Sequence, residues 1–144
     1  MKKIAMASDH AGYEMKEHIK QYLLEQGYEI TDFGTDTDAS CDYADYGHKA
    51  ARAIEQGVCD CGVCFCGSGE GMTMTLNKHR GIRAGLCWCV EVARLIRQHN
   101  NANAVVMPGR FITMQEAEAI TDAFLNTDFE GGRHQRRIDK INCD

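Results

Sequence analysis

The stretch from Val63 to Met74, VCFCGSGEGMTM, limits what this chain can fold into more than any other. A short apolar run, Val63 to Phe65, ends at a thiol, Cys66, and passes at once into a turn with Gly67, Gly69 and Gly71. This pattern predicts a buried parallel strand handing over to a helix. The glycines let the backbone approach a ligand and converge several amide N–H groups, and the following helix adds the positive end of its dipole. An anion suits such a turn. A helix N-terminus also lowers a thiol's pKa, so Cys66 is expected to be a reactive base beside an oxyanion pocket.

The remainder of the chain alternates in the same way. Lys3 to Ser8 reads as a strand ending in the polar loop Asp9, His10, Ala11, Gly12, and Tyr13 to Gln26 as a helix with Met15, Ile19, Tyr22 and Leu23 inward. A second strand spans Tyr28 to Phe33. After a polar loop from Gly34 to Tyr46, an alanine-rich helix runs from about Gly47 to Gln56. The strand Cys61 to Cys66 is third, and the helix after its turn reaches about Lys78. A fourth strand, Arg83 to Cys87, precedes a helix at Val90 to Gln98 with Val92, Ala93, Leu95 and Ile96 inward; the fifth is Ala104 to Met107. Thr113 and Glu116 form a capping-box pattern ahead of the stripe Ala117, Ile120, Ala123, Phe124. Gly131 and Gly132 then break the chain before a basic tail in which Arg133, Arg137 and Lys140 are spaced to share one helical face.

Strands and helices at this spacing predict an α/β protein, a three-layer α/β/α sandwich. Its centre is a Rossmann-like, doubly wound parallel sheet of about five strands, with a C-terminal helical tail. Ligands in such sheets sit beyond the carboxyl ends of the strands, which gathers Asp9 and His10, the loop with Asp42 and Tyr43, and Cys66 to Gly71 around one cleft. The 144 residues fit a single domain, 1–144, able to bury about 70% of its unfolded surface.

A formal charge of −5 argues against bulk attraction to nucleic acid or an anionic membrane. No apolar run approaches the roughly 20 residues of a membrane span. The start, MKKIAMASDH, is too short in its apolar part for a signal peptide and reads as the first strand of a cytoplasmic protein. Eight cysteines in that setting are expected to be reduced thiols. A zinc site from Cys59, Cys61, Cys64 and Cys66 is disfavoured, because residues two apart on a strand share a face: Cys59 and Cys61 point one way, Cys64 and Cys66 the other.

Seven motifs occur in order: SDHAG from Ser8, DYADY from Asp42, CGSGEG from Cys66 with Asn77 and Lys78 after it, GIRAG from Gly81, RQHNNAN from Arg97, GR at Gly109, and GGRHQRRI from Gly131. In this order they resemble the sugar-phosphate isomerases related to type B ribose-5-phosphate isomerase, which include the galactose-6-phosphate isomerase subunits. The resemblance implies an aldose–ketose isomerase of ribose 5-phosphate and ribulose 5-phosphate, in which Cys66 moves a proton between C2 and C1. It implies that the amides of Gly67, Gly69 and Gly71 hold the enediolate with Ser68, that His99 with Asp9 opens the ring, and that His10, Arg133 and Arg137 bind phosphate. Tyr43 would line the sugar pocket. A homodimer with shared active sites, or a pair of such dimers, would bring His99, Asn100 and Arg110 from the partner subunit, with no metal and no cofactor. Ala44 departs from the proline frequent after DY in these enzymes, and Trp88 is a second departure.

Three other readings compete. One is an isomerase of allose or galactose 6-phosphate. Another is a non-catalytic nucleotide-binding module, against which the glycines are spaced GxGxG and follow the third strand. The third is a thiol redox protein, against which the one Cys-x-x-Cys spacing, Cys61 to Cys64, falls inside a strand whose alternation turns the two thiols to opposite faces.

Overall fold

The computed structural model describes residues 3–143; Met1, Lys2 and Asp144, the ends of the expected domain, lie outside the described residues. Five strands and six helices alternate: β1 (Lys3–Ser8), α1 (Tyr13–Glu25), β2 (Glu29–Asp32), α2 (Tyr43–Glu55), β3 (Cys61–Cys66), α3 (Glu70–Leu76), β4 (Ala84–Leu86), α4 (Val90–Gln98), β5 (Ala104–Pro108), α5 (Met114–Asn126) and α6 (Arg133–Ile138). The sheet order is β2-β1-β3-β5-β4, with every pair parallel. This is the α/β sandwich the alternation predicts, with α6 as its helical tail.

The period-two geometry of a strand divides the core. Ile4, Met6, Val63, Phe65, Val105 and Met107 face α1, α4 and α5, while Ala5, Ala7, Cys64, Cys66, Ala104 and Val106 face α2 and α3. Both faces are covered, so the strands read as continuous apolar runs. On the second face small residues meet Ala50, Ala51 and Ala53 of α2. The capping box closes α5 as expected: Glu116 N–H donates to Thr113 Oγ1 at 3.0 Å and Thr113 N–H to Glu116 Oε1 at 2.9 Å.

Four expectations are corrected. Helix α2 begins at Tyr43, not near Gly47, and Gly47 lies inside it because a Cβ there would come 2.8 Å from Met72 Sδ and 3.1 Å from Thr75 Cγ2. The glycine serves α2–α3 packing instead of marking a boundary. Leu95 is 39% exposed, since α4 packs at the edge of the sheet and only Ala93 of its stripe is fully buried. Cys59 packs with Cys64 and Cys66, not with Cys61; it lies in the turn before β3, where strand alternation does not yet apply. Lys140 falls beyond the end of α6, so of Arg133, Arg137 and Lys140 only the two arginines share a face of that helix.

Topology fixes where a ligand fits. Neighbouring strands β1 and β3 send their helices to opposite faces, α1 to one and α3 to the other. The loops after them therefore diverge and open a crevice at the carboxyl edge. No helix among the described residues is long and apolar enough to cross a membrane.

Candidate active site

The crevice is a cleft of ≈ 440 Å³ lined by Asp9, His10, Ala11, Tyr43, Cys66, Gly67, Ser68, Gly71, Arg110 and Phe111. Cys66 ends β3 with 3% of its surface exposed. Gly69 adopts φ +82°, a left-handed conformation that a side chain resists, and this folds the turn back over the strand. The N–H groups of Met72, Gly69 and Gly71 consequently converge on the Cys66 sulfur. A Cβ on Gly71 would collide with the Tyr43 ring, so that glycine is what admits Tyr43 to the cleft. A Cβ on Gly67 would lie 3.2 Å from Arg110 Nη1 and 3.3 Å from Ala11 Cβ, within the cleft itself.

The electrostatics of the thiol differ from expectation. Burial pushes the Cys66 thiol above its ordinary value, and the nearby Asp9 carboxylate adds to the rise, against the backbone donors that lower it. The helix-terminal amides are in place, but desolvation outweighs them. They are also engaged: Gly69, Gly71 and Met72 face sulfur, and Glu70 N–H donates to Ser68 Oγ at 3.2 Å. The same amides would favour a thiolate once it formed. Cys61, Cys64 and Cys87 are pushed up to about 12, chiefly by burial. All eight cysteines are free thiols.

Around the thiol each group has a definite role in the local structure. Asp9 Oδ1 accepts N–H bonds from Ala11 and Gly12, both at 3.0 Å, and so shapes the loop that leads into α1. His10 Nδ1 accepts from Cys41 N–H at 3.3 Å, which places the proton of a neutral ring on Nε2 as a donor. Arg110 is tied to the same turn, its N–H donating to Gly67 O at 3.0 Å. It lines the cleft of its own chain, whereas the resemblance implied that it came from a partner.

His99, Asn100, Arg133 and Arg137 lie elsewhere. They line a second cleft of ≈ 440 Å³ with His134, Ile138 and Ile141. Helix α4 starts beyond the carboxyl end of β4 and runs back, so His99 arrives just before the amino end of β5, whereas Cys66 pairs with Pro108 at its carboxyl end. A five-residue strand separates the two by roughly 16 Å or more. Within one chain, His99 cannot share a sugar with Cys66, and Arg133 and Arg137 do not join His10. The resemblance grouped both arginines with His10; within one chain they lie instead in the cleft beside His99, because α6 carries them there.

Sequence reasoning missed Phe111, 74% exposed at the mouth of the first cleft, and Glu130 and His134 beside His99. The signal for His134 was present in the GGRHQRRI motif, but its neighbours could not be read from spacing.

The sequence matches the family model for ribose/galactose isomerases over residues 4–141.

The chain belongs to the ribose/galactose isomerase family.

Ribose-5-phosphate isomerase B of Escherichia coli K12 is 40% identical over 141 residues, covering 98% of this chain and 95% of that protein. A crystal structure of a ribose 5-phosphate isomerase from Thermotoga maritima superposes with a TM-score of 0.95 at 52% identity, covering 96% of both chains. The ribose-5-phosphate isomerase B of Mycoplasma genitalium, solved with bound ribulose-5-phosphate, gives 0.92 at 41% identity over 96% of this chain and 93% of that one. Membership in this isomerase family sets aside the nucleotide-binding and thiol-redox readings.

Proposed function

We propose that this chain interconverts D-ribose 5-phosphate and D-ribulose 5-phosphate by aldose–ketose isomerisation, in active sites completed by a second copy of itself. The observation that carries the reading is the Cys66 sulfur at the floor of a cleft, faced by three backbone N–H groups. It occurs in a member of a family in which the Mycoplasma genitalium relative was solved with bound ribulose-5-phosphate.

His99, from the second copy, acts as acid and base on the ring oxygen and the anomeric hydroxyl and opens the furanose. The Cys66 thiolate takes the proton from C2 and returns it to C1 of the enediolate. Before transfer the amides of Gly69, Gly71 and Met72 stabilise the thiolate; once sulfur carries the proton, they act on the charge that has moved to the enediolate oxygens. Ser68 supplies a hydroxyl to the same oxygens. His10, through Nε2–H, and Arg110 hold one side of the phosphate, and Arg133 and Arg137 of the second copy reach it from the other. Tyr43 lines the sugar pocket, and Asn100 of the second copy binds beside it. No metal or organic cofactor takes part in these steps.

The separation of the two clefts suggests the decisive experiment. Cys66→Ala alone loses roughly 10² or more in kcat, and His99→Ala alone is similarly impaired on the ring form of the sugar. Coexpressed, the two inactive chains form mixed dimers in which one of two sites is intact, so activity returns to about a quarter of wild type. No recovery in mixed dimers contradicts a shared site. Parallel assays on phosphorylated ribose, allose and galactose separate the pentose reading from the hexose one.

A further inference from the structure

The residues beside His99 form a group that the isomerase reaction does not use. The His99 and His134 rings stack with centroids 4.3 Å apart and planes inclined by 11°. Glu130 Oε1 lies 3.8 Å from His99 Nε2 and 3.6 Å from His134 Nε2. These donors all lie within 4.8 Å of one another. Local backbone makes this possible. Gly131 and Gly132, at φ +71° and +59°, fold Glu130 back over the start of α6, and Glu130 N–H donates to Gln98 O at 3.1 Å, pinning the segment to the end of α4.

Two features point to a ligand. His134 is 5% exposed, and its Nε2 is buried with no hydrogen-bond partner among the described residues. Such an orphaned polar atom is costly unless something binds it. Second, two imidazoles and one carboxylate leaving a fourth position open are a zinc donor set. Zinc–nitrogen bonds of about 2.0–2.1 Å put tetrahedral ligand atoms roughly 3.4 Å apart. In-plane lone pairs of stacked rings run parallel, so coordination requires the half-exposed His99 to turn out of the stack and the exposed Glu130 to move in around the buried His134. Arg133 and Arg137 are exposed, where water and salt screen their repulsion of a cation.

We propose that His99, Glu130 and His134 bind a divalent cation of the zinc type, and that the bound ion inhibits the isomerase by withdrawing His99 from ring opening. The inhibition rests on the role proposed for His99; the binding does not. The sequence suggested metal only through cysteines, and this group contains none.

The test uses the purified full-length chain with its thiols reduced. Dialysis against cobalt(II) is expected to leave one ion per chain, with visible d–d bands and no thiolate charge-transfer band, and Glu130→Gln is expected to lose those bands. Cobalt held only with thiolate bands, or none held, overturns the site. Zinc is expected to inhibit ribose 5-phosphate isomerisation reversibly with respect to EDTA. Glu130→Gln should keep wild-type activity in EDTA and need roughly tenfold or more zinc for half inhibition. Equal zinc sensitivity of the two proteins overturns the inhibitory link. A chain that did not isomerise ribose 5-phosphate would remove the function reading, while the cobalt spectrum still decides the metal site.

Discussion

Cys66 shows how far a residue's chemistry departs from its motif. A thiol before a glycine turn reads as activated, and the amides that would activate it are there. Burial nevertheless dominates, so in the empty cleft the thiol keeps its proton beyond the ordinary range. For a base this has two sides: little thiolate at neutral pH, but a stronger proton acceptor when formed. Substrate-protected alkylation by iodoacetamide should therefore rise with pH and reach its midpoint above the ordinary thiol value of 9.0. A midpoint near 7 would mean that the amides prevail over desolvation.

At the scale of elements, the strand, turn and helix of β3 and α3 form one device. Gly69 holds the left-handed φ that aims three amides at sulfur, and a Cβ there would collide with Leu86. Gly69→Ala should cost about 1–3 kcal/mol of stability and lower kcat, as measured by thermal melting and steady-state rates. A melting temperature equal to wild type would show that the turn tolerates a side chain. Helix α6 supplies the contrasting case. Arg137 is exposed, so Arg137→Ala should leave the melting temperature unchanged and raise KM for ribose 5-phosphate roughly tenfold or more. An unchanged KM removes Arg137 from the phosphate site. Element identities were legible because each follows a local rule: period two in the strands, the capping box at Thr113, glycine at helix ends. Gly47 and Leu95 were misread because their neighbours, α3 and the sheet edge, are remote in sequence.

Across the whole molecule, the sheet buries thiols on both faces, and this links stability to pH. Cys61, Cys64 and Cys87 are pushed from 9.0 to about 12 in the fold. An unfolded chain loses these protons near 9 and the folded one does not, so their contribution is complete below pH 9 and is lost as pH rises towards 12. The melting temperature should fall steeply across that window; a flat profile to pH 11 contradicts the assignment. The sequence alone determined the alternation of strands and helices, the family, and the cleft around Asp9, His10, Tyr43 and Cys66, because strand-end loops in a parallel sheet meet wherever the chain switches faces. Only tertiary structure decided that His99, Arg133 and Arg137 gather at the opposite end with Glu130 and His134, and that Arg110 stays beside Cys66. Those placements depend on the direction in which α4 returns and on where α6 docks, and neither leaves a periodic trace in the chain.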